Sequence, residues 1–395
     1  MPETVDLTIL MPCLNEAETL ARCIEKAKTG LQKSGVRGEI LVADNGSTDG
    51  SQAIAEKLGA RVAAVPEKGY GSALIGGTRA AYGKWILMGD ADDSYDFSEA
   101  DRFVKKFQEG YELVMGCRLP SGGGTILPGA MPWKNRWIGN PILSFIGRFF
   151  FKCPARDFHC GLRGYTKESF EALDLQTTGM EFASEMVIKA TLRKLRITEV
   201  PVTLSRDGRS RPPHLKPWRD GWRHLRFMLL FSPRWLFLVP GIVLFVIGAG
   251  LSAVLCMQDL QIGAVTLNVG TLAVSCMIAI VGFQLFAFAF FTKVFAIAEG
   301  LLPDDPKLTS VLKFFTLEKG ILASLGVFLL GMILLVRAVW LWGQVHFGQL
   351  PSMEENLRHL IPAAALVVLG IQGIFSSFFM SALGLKTKTR RPPAV

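Results

Sequence analysis

The sequence predicts an α/β domain followed by a membrane domain of four helices, and three observations carry that prediction. Short apolar runs alternate with helix-length amphipathic segments over the first part of the chain. Loops rich in Asp, Asn, Gly and Ser follow these apolar runs. From residue 235 onward, four apolar stretches are each long enough to cross a bilayer, which takes roughly 20 residues.

The first part of the chain is predicted to form a mostly parallel sheet with helices on both faces. Apolar runs predict strands at 7–11, 39–43, 61–65 and 84–88, and the segments between them predict helices at 16–30, 49–58 and 71–82. Strands separated by helices of this length favour right-handed crossovers between parallel neighbours. We therefore predict an α/β domain over 1–216. A Trp- and Arg-rich amphipathic segment over 217–234 predicts a helix at the membrane interface.

The remainder, 235–395, is predicted to be a membrane domain with spans at about 235–257, 265–291, 321–342 and 360–383. Cations are concentrated between the second and third spans and after the fourth, at Lys307, Lys313, Lys319, Lys386, Lys388, Arg390 and Arg391. The positive-inside rule therefore predicts that the α/β domain and the C-terminus face the cytoplasm, across the cytoplasmic membrane if the source is bacterial or archaeal. No signal peptide is expected, because a strand-like run begins at Leu7.

Charge and cysteine content argue against other classes of protein. The chain has a formal net charge of +9 and seven cysteines. Much of the positive charge flanks the predicted spans, where attraction to anionic lipid explains it more simply than nucleic-acid binding does. An odd number of cysteines without CxxC pairs suits a reducing compartment. Nucleic acid is therefore not an expected partner, and Cys153 and Cys160 are interpreted as packing residues rather than zinc ligands.

The loop after the fourth predicted strand carries the most informative pair of side chains. The apolar run 85–88 is followed by Gly89, and then by Asp90 and Asp92. Carboxylates at i and i+2 on a strand end can converge on one hard cation, whose other positions stay open to water and phosphate oxygens. A surface turn rich in Asp is the alternative for this pair alone. Three further polar loops should lie at the same sheet edge, so together they predict a nucleotide pocket.

These motifs resemble the family-2 glycosyltransferases with the GT-A fold, and within them the polyprenyl-phosphate sugar synthases of the dolichol-phosphate mannose synthase type. The resemblance covers about 1–230 and runs through Pro12-x-x-Asn15-Glu16, Asp44-Asn45-Gly46-Ser47-Thr48-Asp49-Gly50, Gly89-Asp90-Ala91-Asp92 and Glu181…Glu185. The P-loop and the GxGxxG fingerprint of other nucleotide-binding folds are absent from the sequence.

The resemblance implies which residues bind the donor. Asp90 and Asp92 would hold Mg²⁺ or Mn²⁺ on the diphosphate of a nucleotide sugar. Leu14 departs from the family, whose members often have an aromatic residue there, so the base stays open. The residues implied to contact the nucleotide are Pro12, Leu14, Asn15, Glu16, Asp44, Lys68, Asp90 and Ala91.

The resemblance also implies a second half of the site. Asp157 lies in a segment that closes over the donor sugar in such enzymes, so Asp157 joins Asp92 as a candidate catalytic residue. A structural role for Asp157, such as pairing with Arg156 or Arg163, is the alternative. Arginines can surround phosphates with forked donors, although a solvated basic loop is also compatible with the pattern. The candidates for binding the diphosphate and the acceptor phosphate are Arg118, Arg136, Arg206, Arg209 and Arg211.

A long aromatic segment over 133–152, with cations and Trp near its ends, predicts a helix in the membrane interface. A core helix of a soluble domain is the alternative.

The hypothesis that follows is an inverting hexosyltransferase. It would move a hexose from a nucleotide sugar of the UDP-glucose or GDP-mannose type to undecaprenyl or dolichyl phosphate in the bilayer, as a monomer or a homo-oligomer. One rival is a processive polysaccharide synthase, but its Gln-x-x-Arg-Trp motif is missing at both Arg-Trp pairs. The other rival is a non-catalytic partner or lipid-translocation module, which would be free to lose the Asp90/Asp92 pair.

Overall fold

The computed structural model describes residues 5–210, 217–299, 316–349 and 352–384, with short pieces between 302 and 311. The chain divides into two compact units, Met1–Met228 and Leu229–Val395.

The first unit is an α/β domain. Its strands in chain order are β1 Leu7–Cys13, β2 Gly38–Asp44, β3 Arg61–Ala64, β4 Trp85–Met88, β5 Leu113–Cys117, β6 Thr125–Ile126, β7 Arg163–Thr166, β8 Ile197–Pro201 and β9 Thr203–Leu204. Its helices are α1 Leu20–Ser34, α2 Ser51–Lys57, α3 Tyr70–Ala80, α4 Ala100–Gln108, α5 Asn140–Phe151, α6 Lys167–Leu173, α7 Phe182–Leu192 and α8 Pro217–Leu230.

Seven strands form one sheet in the order β3-β2-β1-β4-β7-β5-β8. The first four run parallel, while β7 runs antiparallel to both of its neighbours, β4 and β5. β5 and β8 are again parallel, and β6 pairs with β9 in a separate short ribbon. The mostly parallel sheet is thus confirmed, with one reversed strand that the sequence reasoning did not predict.

The apolar strands are buried because helices cover the sheet, as is typical of parallel sheets. Leu7, Ile9 and Met11 of β1 lie in one core cluster with Leu20 and Ile24 of α1. On α3, a side chain added at Gly77 would meet Leu10 and Ala43, so α3 packs directly against β1 and β2. This packing fixes the carboxyl ends of β1, β2 and β4 at one edge.

The first two helices begin later than predicted. The segment from 14 to 19 is a loop in which Asn15 has a left-handed φ of 60°, and α1 starts only at Leu20. Likewise, Gly46 and Gly50 have positive φ values of 92° and 88°, so α2 starts at Ser51. The residues left out of the helices are those that build the sheet-edge loops.

In the part of the second unit that the structure describes, four long helices and a β-hairpin are the main elements. The hairpin strands are β10 Leu260–Ile262 and β11 Val265–Leu267, and the helices are α9 Val239–Leu255, α10 Val269–Ala298, α11 Leu317–Gln344 and α12 Met353–Gly384. A π-helical turn, Arg234–Leu238, leads into α9. Four segments are long and apolar enough to cross a membrane, namely Arg234–Leu255, Val269–Ala298, Leu317–Gln344 and Met353–Leu383.

The predicted four-helix architecture is confirmed, and three helix starts differ, since α11 begins at Leu317 rather than at 321. The second span was predicted from 265, but the hairpin with its turn at Gly263 (φ 61°) takes those residues. The fourth helix starts at Met353 rather than near 360, because the polar turn with Glu354 and Glu355 is also helical. Helices α9 and α10 approach so closely that a side chain at Gly248 would lie 2.4 Å from the Ala279 nitrogen.

Candidate active site

The loops after β1 and β2 are joined by hydrogen bonds at the sheet edge. The Asn15 amide donates to Ser47 Oγ at 2.9 Å, and Asn15 Oδ1 accepts from the Thr48 amide at 2.7 Å. The Glu16 amide donates to Ser51 Oγ at 3.0 Å. The left-handed φ of Asn15, which Asn tolerates better than most residues, turns its side chain into this role. The two predicted nucleotide loops therefore form one rigid wall.

Asp44 ends β2 and is only 2% exposed. Its carboxylate accepts from the amides of Gly46 and Ser47 at 3.1 and 3.2 Å, and from Gln52 Nε2 at 2.6 Å. Burial raises the pKa of Asp44, but these donors outweigh burial, so the pKa lies below its ordinary value. Asp44 is thus an ionised acceptor in a fixed orientation.

Asn45 joins the second loop to the third, and sequence reasoning did not select it. Its Nδ2 donates to the carbonyls of Val65 and Glu67 at 3.0 and 2.7 Å, and its Oδ1 accepts from the Gly69 amide at 2.9 Å. Lys68 Nζ donates to the Asn45 carbonyl at 2.7 Å. The available signal in the sequence was the place of Asn45 beside Asp44 in the motif. A side-chain amide has both donors and acceptors, so it can join two loops.

Asp90 and Asp92 follow β4 at the same edge. Asp92 Oδ1 accepts from the Ser94 amide at 3.0 Å and from Ser94 Oγ at 2.5 Å. Asp90 Oδ1 accepts from the Tyr70 hydroxyl at 3.1 Å, a partner that sequence reasoning missed. Burial and then the charge of Asp92 raise the pKa of Asp90 to about 7. Two carboxylates that repel each other in a partly dehydrated place are stabilised by a cation.

The chemistry of this pair fits a divalent metal. Within the described ranges, no group of three or more His, Cys, Asp and Glu side chains is assembled around one point. Two carboxylates with open positions left for substrate phosphates are the arrangement that Mg²⁺ commonly uses in proteins. Asp90 and Asp92 would therefore hold the metal, which would neutralise charge on a bound diphosphate.

Arg209 is brought onto this site from the loop that follows β9. Its Nη1 donates to Glu16 Oε1 at 3.0 Å and its Nη2 donates to Asp92 Oδ2 at 2.7 Å. The side chain of Arg209 is 10% exposed. The sequence predicted Arg209 near phosphates but not its ion pairs with two carboxylates that lie more than a hundred residues earlier.

Asp157 forms a buried ion pair with Arg118. Arg118 Nε and Nη2 donate to the two carboxylate oxygens at 2.7 and 2.8 Å, and the Arg118 amide adds a third bond at 3.0 Å. Burial raises the pKa of Asp157, but the Arg118 charge outweighs it and lowers the pKa below its ordinary value. Asp157 is therefore held ionised by Arg118, and Arg118 directs two of its five guanidinium donors at Asp157.

The alternative partners considered for Asp157 were wrong. Arg163 donates to the Cys160 and Ala183 carbonyls, and Arg156 donates to the Ser121 carbonyl. Both are closer to Asp157 in sequence, but β5 carries Arg118 to the position from which a guanidinium reaches the carboxylate with two parallel bonds.

Tyr95 connects this ion pair to the carboxylate pair. Its hydroxyl accepts from the Gly161 amide at 2.9 Å and from Arg118 Nη1 at 3.4 Å. Gly161 itself lies against Asp90, since an added side chain there would be 2.8 Å from Asp90 Oδ2. The segment that carries Asp157 is thus packed directly on the metal-binding candidates, and Tyr95 and Gly161 are site residues that sequence reasoning missed.

The other predicted residues fall into three groups. Pro12 and Leu14 are half-buried at the end of β1, Ala91 is buried, and Lys68 is exposed beside the second loop. Arg206 is exposed, and Arg136 lies over the Trp137 ring just before α5. Arg211 and the predicted loop and tail cations lie outside the described residues, except Lys319 in α11.

The segment that includes α5 has an exposed apolar face. Ser144, Gly147 and Phe151 are buried on its inner side. The large apolar side chains that are between 51% and 66% exposed are Trp133, Trp137, Ile142, Phe145 and Phe149. A core helix of a soluble domain does not expose a continuous aromatic face of this kind.

His159 is a packed, neutral side chain. Its Nε2 lies 3.2 Å from Ser184 Oγ, which in turn lies 2.8 Å from His224 Nδ1 on α8. Burial lowers the pKa of both histidines, that of His224 to about 4. The cluster anchors α8 to the segment after Asp157, and both imidazoles are uncharged at neutral pH.

Fold and site together define an α/β domain with polar loops at one sheet edge, followed along the chain by helices that are long and apolar enough to cross a membrane. The sequence profile for Glycosyl transferase family 2 matches residues 8–174. The profile for the Glycosyltransferase family 2 C-terminal transmembrane region matches residues 290–384. The chain belongs to glycosyltransferase family 2, and it is an enzyme integral to a membrane.

Two relatives come from Haloferax volcanii. The low-salt glycan biosynthesis hexosyltransferase is 36% identical over 96% of this chain and 89% of that protein. A dolichyl-phosphate hexose transferase is 29% identical over 50% of this chain and 82% of that protein.

Two solved structures also resemble the chain. Glucosyl-3-phosphoglycerate synthase from Mycobacterium tuberculosis, in complex with Mn²⁺, UDP and glucosyl-3-phosphoglycerate, is 21% identical over 57% of this chain and 78% of that chain, with a TM-score of 0.44. Mannosyl-3-phosphoglycerate synthase from Rubrobacter xylanophilus is 18% identical over 57% of this chain and 72% of that chain, with a TM-score of 0.45. At this level of similarity, the ligands, metals and substrates of those proteins cannot be assigned to this chain.

Proposed function

We propose that this glycosyltransferase moves a hexose, with inversion, from a nucleotide sugar to a polyprenyl phosphate. The donor is of the UDP-glucose or GDP-mannose type, and the product is a lipid-phosphate-linked sugar for glycan assembly. The observation that carries the proposal is the Asp90/Asp92 pair, which lies at the sheet edge beside Glu16 and Asp44. That arrangement suits a metal-bound diphosphate next to a nucleoside pocket.

The fixed loops are assigned to the nucleoside. The carboxylates of Asp44 and Glu16 would accept hydrogen bonds from the base and the ribose, because an ionised carboxylate accepts hydrogen bonds and donates none. Pro12, Leu14 and Asn15 border the same pocket on the first loop, and Lys68 and Ala91 close it from the third and fourth loops.

The reaction requires charge stabilisation more than proton transfer. When the anomeric bond breaks, negative charge develops on the leaving diphosphate, and a divalent metal on Asp90 and Asp92 would stabilise that charge. The attacking phosphate monoester is already largely ionised at neutral pH, because its second pKa is about 6. An attack from the face opposite the leaving group inverts the anomeric centre.

Asp157 fits a positioning role better than that of a general base. Its carboxylate is fully engaged by Arg118 and its pKa is lowered, both of which oppose proton uptake. Through Arg118 and Tyr95 it would fix the segment that contacts Asp90. Arg118, Arg136, Arg206, Arg209 and Arg211 remain the proposed cations for the two phosphate centres.

The acceptor class is supported by the relatives and by the membrane domain. One relative is named as a dolichyl-phosphate hexose transferase, and the other as a hexosyltransferase of glycan biosynthesis. A lipid acceptor also suits the exposed face of the α5 segment, which would rest on the cytoplasmic surface of the bilayer. Lys134 and Arg136 at one end, and Arg148 and Lys152 at the other, suit anionic headgroups.

A change on that face should weaken use of the lipid substrate. Phe145 and Phe149 stack with ring centroids 5.9 Å apart on the exposed side. In proteoliposomes, Phe145→Ser combined with Phe149→Ser should raise the KM for polyprenyl phosphate about tenfold, because roughly 1.5 kcal/mol or more of apolar burial is lost. The KM for the sugar nucleotide should not change.

The matched control is Tyr82→Ser. Tyr82 is an aromatic residue that is 68% exposed, directly after α3 and before β4, at the amino edge of the sheet. Equal effects of the Tyr82 and Phe145/Phe149 changes, or no effect of either, would count against contact between α5 and the membrane.

The proposed function is tested with the full-length protein in membranes, undecaprenyl or dolichyl phosphate, Mg²⁺ or Mn²⁺, and a panel of radiolabelled UDP- and GDP-sugars. Metal-dependent label in the organic phase, as a lipid that carries one sugar, supports the proposal and names the donor. Labelled polymer in the aqueous phase would favour a processive synthase instead. No transfer from any donor would indicate a different acceptor.

A further inference from the structure

Arg209 occupies the place where the carboxylates of the site need a cation. It bridges Glu16 Oε1 and Asp92 Oδ2, at 3.0 and 2.7 Å, and it lies 3.4 Å from Asp207 Oδ2. An arginine side chain keeps its proton and its charge in proteins. The guanidinium is therefore a permanent charge inside a carboxylate cluster.

The loop that carries Arg209 is fixed in this position. The Ser205 amide donates to the Ser94 carbonyl at 2.9 Å, and the Gly208 amide donates to the Asp92 carbonyl at 3.0 Å. Ser210 donates from its amide and its hydroxyl to the Glu18 carboxylate, at 2.7 and 2.6 Å. These bonds attach loop 205–210 to both loops whose carboxylates Arg209 bridges.

The acceptor capacity of Asp92 is nearly exhausted by these partners. A carboxylate offers about four lone-pair sites. Ser94 uses two of them on Oδ1, and Arg209 uses one on Oδ2. A divalent ion on Asp92 would also lie within a few ångströms of the guanidinium charge, and such repulsion is strong in a partly dehydrated site. Arg209 and a metal therefore compete for Asp92.

We propose that Arg209 is the internal counter-ion of the metal-free site, which a divalent cation must displace from Asp92, so that Arg209 sets the affinity of the site for metal. The inference rests on the proposed function only in assigning the metal to Asp90 and Asp92. In the metal-free protein Arg209 balances carboxylates that otherwise repel. When it leaves Asp92, its forked donors become free for the phosphate oxygens that arrive with the metal.

The Nε of Arg209 agrees with this exchange. Among the described residues it is a buried donor without a hydrogen-bond partner. A guanidinium whose final partners were the two carboxylates would be expected to use all of its buried donors, because a buried unpaired donor costs free energy. The arrangement is therefore one of two states of Arg209, and a phosphate oxygen is the partner that the second state supplies.

The test is direct Mn²⁺ binding to the full-length protein in detergent without nucleotide, read from the EPR signal of free Mn²⁺. Arg209→Met keeps much of the side-chain length and removes the charge. It should lower the Kd for Mn²⁺ at least about tenfold, which corresponds to a competing interaction of about 1.4 kcal/mol. Asp92→Asn should abolish binding and so locates the site.

Arg206→Met is the matched control, because Arg206 is an exposed arginine three positions earlier in the same loop. It removes the same charge without touching Asp92, so the Kd for Mn²⁺ should stay within about twofold, since exposed charges are screened. The proposal is overturned if the Kd of Arg209→Met for Mn²⁺ is unchanged or higher while Asp92→Asn abolishes binding. That result would leave the metal assignment intact. Equal Mn²⁺ binding by the wild type and Asp92→Asn would instead refute the metal assignment.

Thermal unfolding gives a second readout that does not depend on catalysis. Without metal, Arg209→Met should have a lower Tm than the wild type, and Mn²⁺ should raise its Tm by more than it raises that of the wild type. Should this variant fail to fold, Glu18→Ala, which releases Ser210, should still lower the Kd for Mn²⁺ to a smaller extent. A higher Kd for Mn²⁺ in Glu18→Ala would contradict the competition between Arg209 and the metal for Asp92.

Discussion

Replacing Asp92 with Asn should abolish Mn²⁺ binding and lower kcat/KM at least about 10³-fold. A divalent metal contributes several kcal/mol of charge stabilisation at a leaving diphosphate, and each 1.4 kcal/mol or so corresponds to a factor of ten. Asn keeps the size of the side chain and its bonds with Ser94, so the loop should hold its shape. The measurement is initial-rate kinetics of label transfer to polyprenyl phosphate, with Mn²⁺ titrated in parallel.

The neighbouring Asp93 provides the control. It has a left-handed φ of 66°, which Asn adopts readily, and its carboxylate pairs with Lys26 at 2.6 Å and Arg22 at 3.5 Å. Loss of such surface pairs costs at most about 1 kcal/mol. Asp93→Asn should therefore keep kcat/KM within about twofold. A comparable loss in both variants would show that the loop, and not the Asp92 carboxylate, is what matters.

Arg118→Met should be the most destabilising single change in the first unit. It leaves the Asp157 carboxylate buried without its cation, and removal of one partner from a buried pair typically costs about 3–5 kcal/mol. For a domain of this size that corresponds to a fall in apparent Tm of roughly 10 °C. The measurement is thermal unfolding of the purified protein in detergent, and transfer activity should be lost with it.

The pH dependence of this pair has a definite sign. The pKa of Asp157 is lower in the folded state than its ordinary value, so its contribution to stability is present above about pH 4 and is lost as the pH falls further. Between pH 6 and pH 8 the contribution of this pair to the stability of the wild type should therefore stay constant.

The double variant Arg118→Met with Asp157→Leu separates stability from positioning. An apolar pair of similar volume often restores the stability that a broken ion pair loses. We expect the Tm to recover by several degrees while transfer stays low, because the contact from Arg118 to Tyr95 is missing. Recovery of full activity together with the Tm would show that Asp157 and Arg118 only support the fold.

The strands and the membrane helices could be predicted because their signals are local. The apolar run of β1 is too short for a buried helix but has the length of a buried strand. The membrane spans are longer than the helices that a small soluble core needs. The reversed direction of β7 had no comparable signal. It depends on pairing with β4 and β5, which are separated from it by many residues.

The site was predictable only in part, for the same reason. Motif residues at strand ends come together because parallel strands end at one edge, so Asp44, Asp90 and Asp92 could be selected from the sequence. Tyr70 and Tyr95 were missed, since nothing in their own neighbourhood marks them as partners of those carboxylates or loops. Asn45 was missed although it stands beside Asp44 in the motif.

By itself, the sequence determined the α/β-plus-membrane architecture, the carboxylate pair and the aromatic segment before α6, since hydropathy and spacing are properties of neighbouring residues. Only the tertiary structure decided which cation each carboxylate receives. Arg118 reaches Asp157 across 39 positions, and Arg209 reaches Asp92 across 117. Those pairings follow from which loops meet at the edge of the folded sheet. A buried charge is stabilised by the nearest opposite charge in space, wherever that residue stands in the sequence.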